Sequence, residues 1–169
     1  MDKTKLSVVR NLKNFLEIKK ICKLKNEEWN YGIASQIEWF KRTVTSKDIH
    51  LILKKNNRVV GYLLLRSRTF KHKKDKKIKG KYFFFDSFVV KKKYRSKGFG
   101  LKLMNAAKKL ILQKNYFSIL TSNQKYDLFY IKQGWKISKK IKILDHPDKW
   151  PILIFNRKYN KKLEVYLKS

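Results

Sequence analysis

Residues 94–104, YRSKGFGLKLM, concentrate the groups most suited to chemistry. Two of the chain's six glycines, Gly98 and Gly100, stand one residue apart beside Arg95 and Lys97. Glycine loses the most backbone freedom on folding, so a close pair marks a tight turn or a place where something touches the main chain. A helical apolar repeat starts directly after it. The first N–H groups of a helix lack partners and carry partial positive charge. Arg95 and Lys97 add full charges and Ser96 adds a donor, which together describe a cradle for a diphosphate. Two other phosphate-binding patterns fail on spacing. The ATPase loop G-x-x-x-x-G-K-[ST] is absent, and the dinucleotide fingerprint needs a third small residue where Leu103 stands.

Asp86 is the only acid in the run before this loop, KYFFFDSFVV, with Phe83, Phe84, Phe85 and Phe88 around it. Apolar surroundings make a carboxylate a stronger proton acceptor, which suits a general base. The competing reading is a carboxylate paired with one of the many lysines. His50, His72 and His146 show no ligand spacing and Cys22 is alone, so no metal is expected. His50 lies in a strand pattern and reads as structural.

These residues need elements to position them. KLSVVR at 5–10 reads as a strand, and 14–26 and 33–43 as helices separated by a break at 26–32. Strands at 48–55 and 58–70 flank Asn56-Asn57, a hairpin turn. A basic loop, 71–80, leads to a strand at 81–90. Residues 100–113 form a helix with Leu101, Met104, Ala107, Leu110 and Ile111 on one face. A short buried strand follows at 117–122, then a helix over about 124–133 that stops at Gly134. Strands at 135–144 and 151–158 flank a loop holding His146, Pro147 and Asp148. The sum is one mixed α/β domain, residues 1–169, with a central sheet.

Composition narrows the field further. A chain of 169 residues with 43% hydrophobic residues can bury a core, which excludes a disordered chain. No apolar run approaches the roughly 18 residues of a membrane span. The single cysteine allows no internal disulfide, so a cytoplasmic protein is the simplest expectation. The formal net charge of +32 would attract any anion. Lysine supplies most of it; arginine stands only at 10, 42, 58, 66, 68, 95 and 157. That bias fits A+T-rich coding, whereas a nucleic-acid reader would favour arginine's bidentate fork. Both origins of the charge stay open.

The motif Arg95-x-x-Gly98-x-Gly100, directly after a strand ending in Val89-Val90, resembles the diphosphate loop of the GNAT superfamily of acyl-CoA-dependent N-acetyltransferases. A second motif agrees. Asn123 precedes Tyr130 by seven residues within NQKYDLFYIKQGW, with Trp135 where the family usually has Phe. The element order fits from about residue 5 to 158. The resemblance implies a mostly antiparallel sheet splayed in the middle, with helices on both faces. It implies that the amides of Arg95, Ser96, Lys97, Gly98, Phe99, Gly100 and Leu101 hold the diphosphate of acetyl-CoA. The backbone of Phe88, Val89 and Val90 would pair with the pantetheine arm as an added strand. Asn123 would touch the same arm, although a helix N-cap is an alternative. Tyr130 would protonate the departing thiolate. A phenol near pKa ~10 keeps its proton at neutral pH, while a free thiol titrates near ~8.5.

Many family members place a Glu nine or ten residues before the loop's Arg or Gln, and Asp86 lies nine before Arg95. Aspartate is shorter, so a bridging water is expected. Trp29, Tyr31 and Trp39, and Trp150 in the last loop, are expected near the acceptor site or in the core. The expected activity is transfer of acetyl from acetyl-CoA to the primary amine of a small molecule, an amino sugar or other metabolite, with an anionic metabolite or amino-sugar nucleotide favoured by the basic charge, by a monomer or homodimer. The alternatives are a protein or peptide N-acetyltransferase and a non-catalytic, nucleic-acid-associated domain of the same fold.

Overall fold

The structure, a computed structural model, describes residues 3–72, 74–75, 77–145, 150–158 and 162–167. The expected loop at His146-Pro147-Asp148 lies outside them. Two compact units emerge, Met1–Arg66 with Asp86–Lys108, and Ser67–Phe85 with Lys109–Ser169.

The first unit begins with β1 (Thr4–Arg10), which pairs antiparallel with β2 (Ile49–Lys55) from Thr4↔Lys55 to Arg10↔Ile49. Strand β2 turns into β3 (Arg58–His72) through Asn56 and Asn57, whose φ values are +48° and +62°. A two-residue hairpin turn of type I′ needs both positions left-handed, and asparagine tolerates that better than most side chains. Between the strands lie α1 (Phe15–Glu28) and α2 (Ile33–Thr43). Asn14 caps α1, its Oδ1 accepting the Glu17 N–H at 3.0 Å. Ile21 and Leu24 of α1 pack with Ile52, Tyr62, Leu64 and Val89 into this unit's core. An added Cβ at Gly61 would come within 2.9 Å of Leu103 Cδ1, so this strand glycine lets α3 (Phe99–Gln113) approach closely.

β4 (Lys79–Val90) belongs to the second unit as far as Phe85, and there it pairs in parallel with β5 (Ser118–Thr121) at Phe83↔Ser118 and Phe84↔Ile119. Strand β5 pairs antiparallel with β8 (Ile152–Phe155), which also holds β6 (Lys136–Ile137). β7 (Ile141–Ile143) runs parallel to β9 (Leu163–Val165), and β9 pairs with the end of β3. Tyr82, Phe84, Phe117, Ile119, Ile154 and Val165 lie in its core. Helix α4 (Asp127–Lys132) completes the helices. The chain is a mixed α/β protein with an open nine-stranded sheet, mostly antiparallel among the described pairings, and four α-helices.

Three elements differ from the sequence reading. The expected strand 135–144 is two short strands, because the Ser138 N–H bonds to Ile152 O while residues past Lys140 turn to β9. Strand β9 was not anticipated, although Leu163, Val165 and Leu167 alternate and are buried. The basic loop 71–80 is shorter than expected. The strands reach His72 and Lys79, with the His72 N–H bonded to Ile78 O at 2.7 Å.

Candidate active site

Strand β4 ends at Val90, and a single 3-10 turn, Lys92–Tyr94, leads into the loop. Ser96 and Gly98 then take left-handed φ values of +58° and +79°. The first helical bond of α3 runs from the Lys102 N–H to Gly98 O, so the amides of Phe99, Gly100 and Leu101 have no partner within the helix. Left-handed residues alternating with ordinary ones turn successive N–H groups toward one concavity, an anion-binding nest.

The two glycines do different work. A Cβ at Gly98 would meet nothing within 4 Å, so the left-handed φ alone calls for glycine there. A Cβ at Gly100 would lie 3.5 Å from Phe88 Cζ and 3.9 Å from Val90 Cγ2. Gly100 therefore seats the first turn of α3 on β4.

Arg95 is engaged within the protein. Its Nε donates to Val90 O at 2.9 Å, and its Nη2 pairs with Glu28 Oε2. Its own N–H is bonded to Lys92 O at 3.1 Å. The amides expected to meet a diphosphate are thus narrowed to Ser96 onward, and Arg95 acts as the brace of the loop. Next to it, Lys91 Nζ lies 2.8 Å from Glu27 Oε1. Glu27 and Glu28, at the end of α1, are partners of this loop that the sequence reading missed. The available signal was an acidic pair in a chain with only 12 acids against 44 bases. Ser96 and Lys97 are exposed. Phe99 is half-buried, with its ring 5.5 Å from that of Tyr94, and Leu101 is exposed.

Upstream, Ser87 holds φ +51° inside β4. A left-handed residue within a strand interrupts its alternation and re-aims the residues that follow, here Phe88, Val89 and Val90. Phe88 is half-buried, and Val89 and Val90 are buried.

Asp86 is not in purely apolar surroundings. Arg66 Nη1 donates to its Oδ2 at 3.1 Å, and Ser87 Oγ to its Oδ1 at 3.2 Å. Asp86 is ion-paired, but with Arg66 and not with a lysine as the competing reading had it. A carboxylate has about four acceptor sites, so two donors leave it the capacity to accept another proton.

Tyr130 sits on α4, which stops as expected at Gly134, φ +88°. The Gly134 N–H bonds to Ile131 O and the Trp135 N–H to Tyr130 O, closing the helix C-terminus. The Tyr130 ring is perpendicular to Phe85, 6.1 Å between centroids, and also faces Trp135 at 6.1 Å. Burial, with smaller contributions from Tyr126 and Asp127, pushes the phenol well above its ordinary value. Tyr130 therefore holds its proton throughout the neutral range. Asn123 is exposed, and its carbonyl accepts the Tyr126 N–H at 3.2 Å. Asn123 directly precedes the 3-10 turn Gln124–Tyr126 that leads into α4, the position expected of a cap, while the cap position of α4 itself falls on Tyr126, without a side-chain bond. Trp29 and Trp39 pack half-buried against the first unit's core, while Tyr31 and Trp150 are exposed.

No helix among the described residues is long and apolar enough to cross a membrane. The mixed open sheet, with its turn between β4 and α3, belongs to an acyltransferase. Residues 15–135 match the acetyltransferase (GNAT) family, and the chain belongs to that family. No curated protein gives a significant match. Among solved structures, the chain is similar to the GNAT family N-acetyltransferase YhbS from Escherichia coli in complex with CoA. That likeness has 11% identity and a TM-score of 0.72, covering 99% of this chain and 91% of that one. An acyl-CoA N-acyltransferase from Pseudomonas aeruginosa shares 14% identity at a TM-score of 0.64, over 90% of this chain and 97% of that one. A conserved Enterococcus faecalis protein matches 82% of this chain at 14% identity and a TM-score of 0.68. There this chain spans 33% of the longer protein. At such identities the likeness concerns the fold.

Proposed function

We propose that this protein transfers acetyl from acetyl-CoA to the primary amine of a small molecule. The observation that carries the reading is the loop at 96–101. Its partnerless helix-start amides, two left-handed residues and Lys97 suit a diphosphate, in a chain of the GNAT family. The E. coli neighbour is in complex with CoA, which supports the same ligand here.

When bound, acetyl-CoA supplies a thioester carbonyl. The amides from Ser96 to Leu101 hold the diphosphate, and Arg95, braced by Glu28, fixes the loop. Beyond Phe84 the β4–β5 ladder is not continued, and the backbone of Phe88, Val89 and Val90 accepts the pantetheine arm as an added strand, with Asn123 as a further contact. Strand N–H groups polarise the carbonyl oxygen. The acceptor's nitrogen bonds to the acyl carbon as the carbon–sulfur bond breaks. Asp86, directly or through water, takes the amine proton, and Tyr130 gives its proton to sulfur. Proton exchange with solvent then restores both groups, leaving an amide and a thiol. Cys22 is free and buried, which suits a reducing, cytoplasmic setting.

The test is Tyr130→Phe. A positioned acid contributes about 10²–10⁴-fold, so kcat should fall by about that much while calorimetric CoA affinity is kept. Unchanged turnover would remove Tyr130 from the mechanism.

A further inference from the structure

Lys25 of α1 is 4% exposed. Lysine is almost never fully buried without a partner. Its Nζ lies 3.6 Å from the centroid of the Trp39 ring, on α2. That ring covers one side of an ammonium with three N–H donors. Among the described residues, no acceptor is within hydrogen-bond distance of this Nζ. Arg66 and Asp86 are charged neighbours, and Cys22 is a third, titratable one. They do not neutralise it. Asp86 accepts from Arg66 at 3.1 Å and from Ser87 at 3.2 Å, and with one carboxylate among two cations the cluster keeps one excess positive charge. Burial lowers the Lys25 pKa to about 8, against the pull of Asp86. Holding a largely buried ammonium against a ring, with no hydrogen-bonded partner, is costly, and an apolar residue of similar volume would be cheaper. A chain with many solvated lysines had no compositional need to place one here.

We infer that Lys25 is the anchor for an anionic group on the acceptor, a conclusion that rests on the acetyl-transfer reading above. The acceptor is then an amine carrying a carboxylate or a phosphate. Asp86, the candidate base, belongs to the same cluster. The two ends of a zwitterion thus meet matching charges, the amine at Asp86 and the anion at Lys25. Arg66 holds Asp86 in place, and no hydrogen bond joins Asp86 to Lys25. The Arg66 guanidinium carbon lies 6.0 Å from the Trp39 ring centroid, so the ring borders both cations.

The experiment uses matched amines. Glycine, β-alanine, 4-aminobutyrate and O-phosphoethanolamine are compared with methylamine, ethylamine, propylamine and ethanolamine. At least one anionic member should exceed its neutral partner in kcat/KM by tenfold or more, and the best pair tells carboxylate from phosphate. Lys25→Met should bring that ratio near one with CoA affinity kept, and Lys25→Arg should retain part of it. Methionine keeps the volume of the lysine stem and removes a costly charge, so Lys25→Met is expected to fold, which a urea titration checks. A ratio near one in the natural protein, or one unchanged in Lys25→Met, overturns the inference.

A second readout does not need turnover. Lys25 is labelled with an amine-specific reagent near pH 8 in the presence of each compound, with exposed Lys41 as reference. Protection of Lys25 beyond Lys41 by an anionic member alone supports the anchor. Equal or absent protection overturns it. Protection without acetylation of any amine sustains the anchor and counts against acetyl transfer.

Discussion

Gly98 offers the sharpest test of the loop. Its φ is +79°, and a side chain there would meet no atom within 4 Å, so replacement perturbs conformation without creating a clash. A left-handed L-residue costs about 1–2 kcal/mol. Alanine returns about 0.4–1 kcal/mol by restricting the unfolded chain. Gly98→Ala should therefore lose about 1 kcal/mol of stability in urea titration. If the free loop relaxes instead, CoA must restore the left-handed turn on binding. A penalty of about 1–2 kcal/mol corresponds to a Kd raised about five- to thirtyfold by calorimetry. Asparagine tolerates this backbone region, so Gly98→Asn should stay close to the natural affinity. Gly100 behaves oppositely. Gly100→Ala adds only ordinary contact with Phe88 and should fold at least as well. Gly100→Val drives a branch into that ring and should cost about 1–3 kcal/mol. If Gly98→Ala and Gly98→Asn both bound CoA like the natural protein, the left-handed nest would not be what grips the diphosphate.

Two further outcomes follow from other contacts. Glu28→Gln weakens the brace on Arg95; this pair is partly exposed, so the expected loss is about 0.5–1 kcal/mol, read as a two- to fivefold weaker CoA affinity. His50 is fully buried, its Nδ1 2.8 Å from Tyr62 Oη, with Phe40 stacked on it at 5.5 Å. Burial pulls its pKa to about 4, only partly opposed by Asp48. The unfolded chain thus binds the extra proton between about 6.5 and 4. This contribution is full above pH 6.5 and lost as pH falls toward 4, by about 3 kcal/mol. Denaturant titrations over that window should show the loss in the natural protein and a flatter acid limb in His50→Gln.

The sequence by itself determined what depends on neighbours in the chain. Asn56-Asn57 fixes a hairpin because both residues accept left-handed φ. Gly134 ends α4, and Gly98 opens α3, for the same local reason. The apolar period of 100–113 leaves little freedom other than a helix. Which polar groups meet was not legible, because 44 cations offer equivalent partners until the fold chooses among them. Only the tertiary structure gave Arg95 to Glu28, 67 residues away, and Asp86 to Arg66, 20 residues away. It also divided 135–144 between β8 and β9. Lys25 shows the limit most clearly. Its letter is one of 37 lysines, and only the packing of α1 against Trp39 sets it apart from the solvated rest. Backbone turns are decided by short-range sterics, whereas charge pairing and burial are decided by which distant surfaces the core brings together.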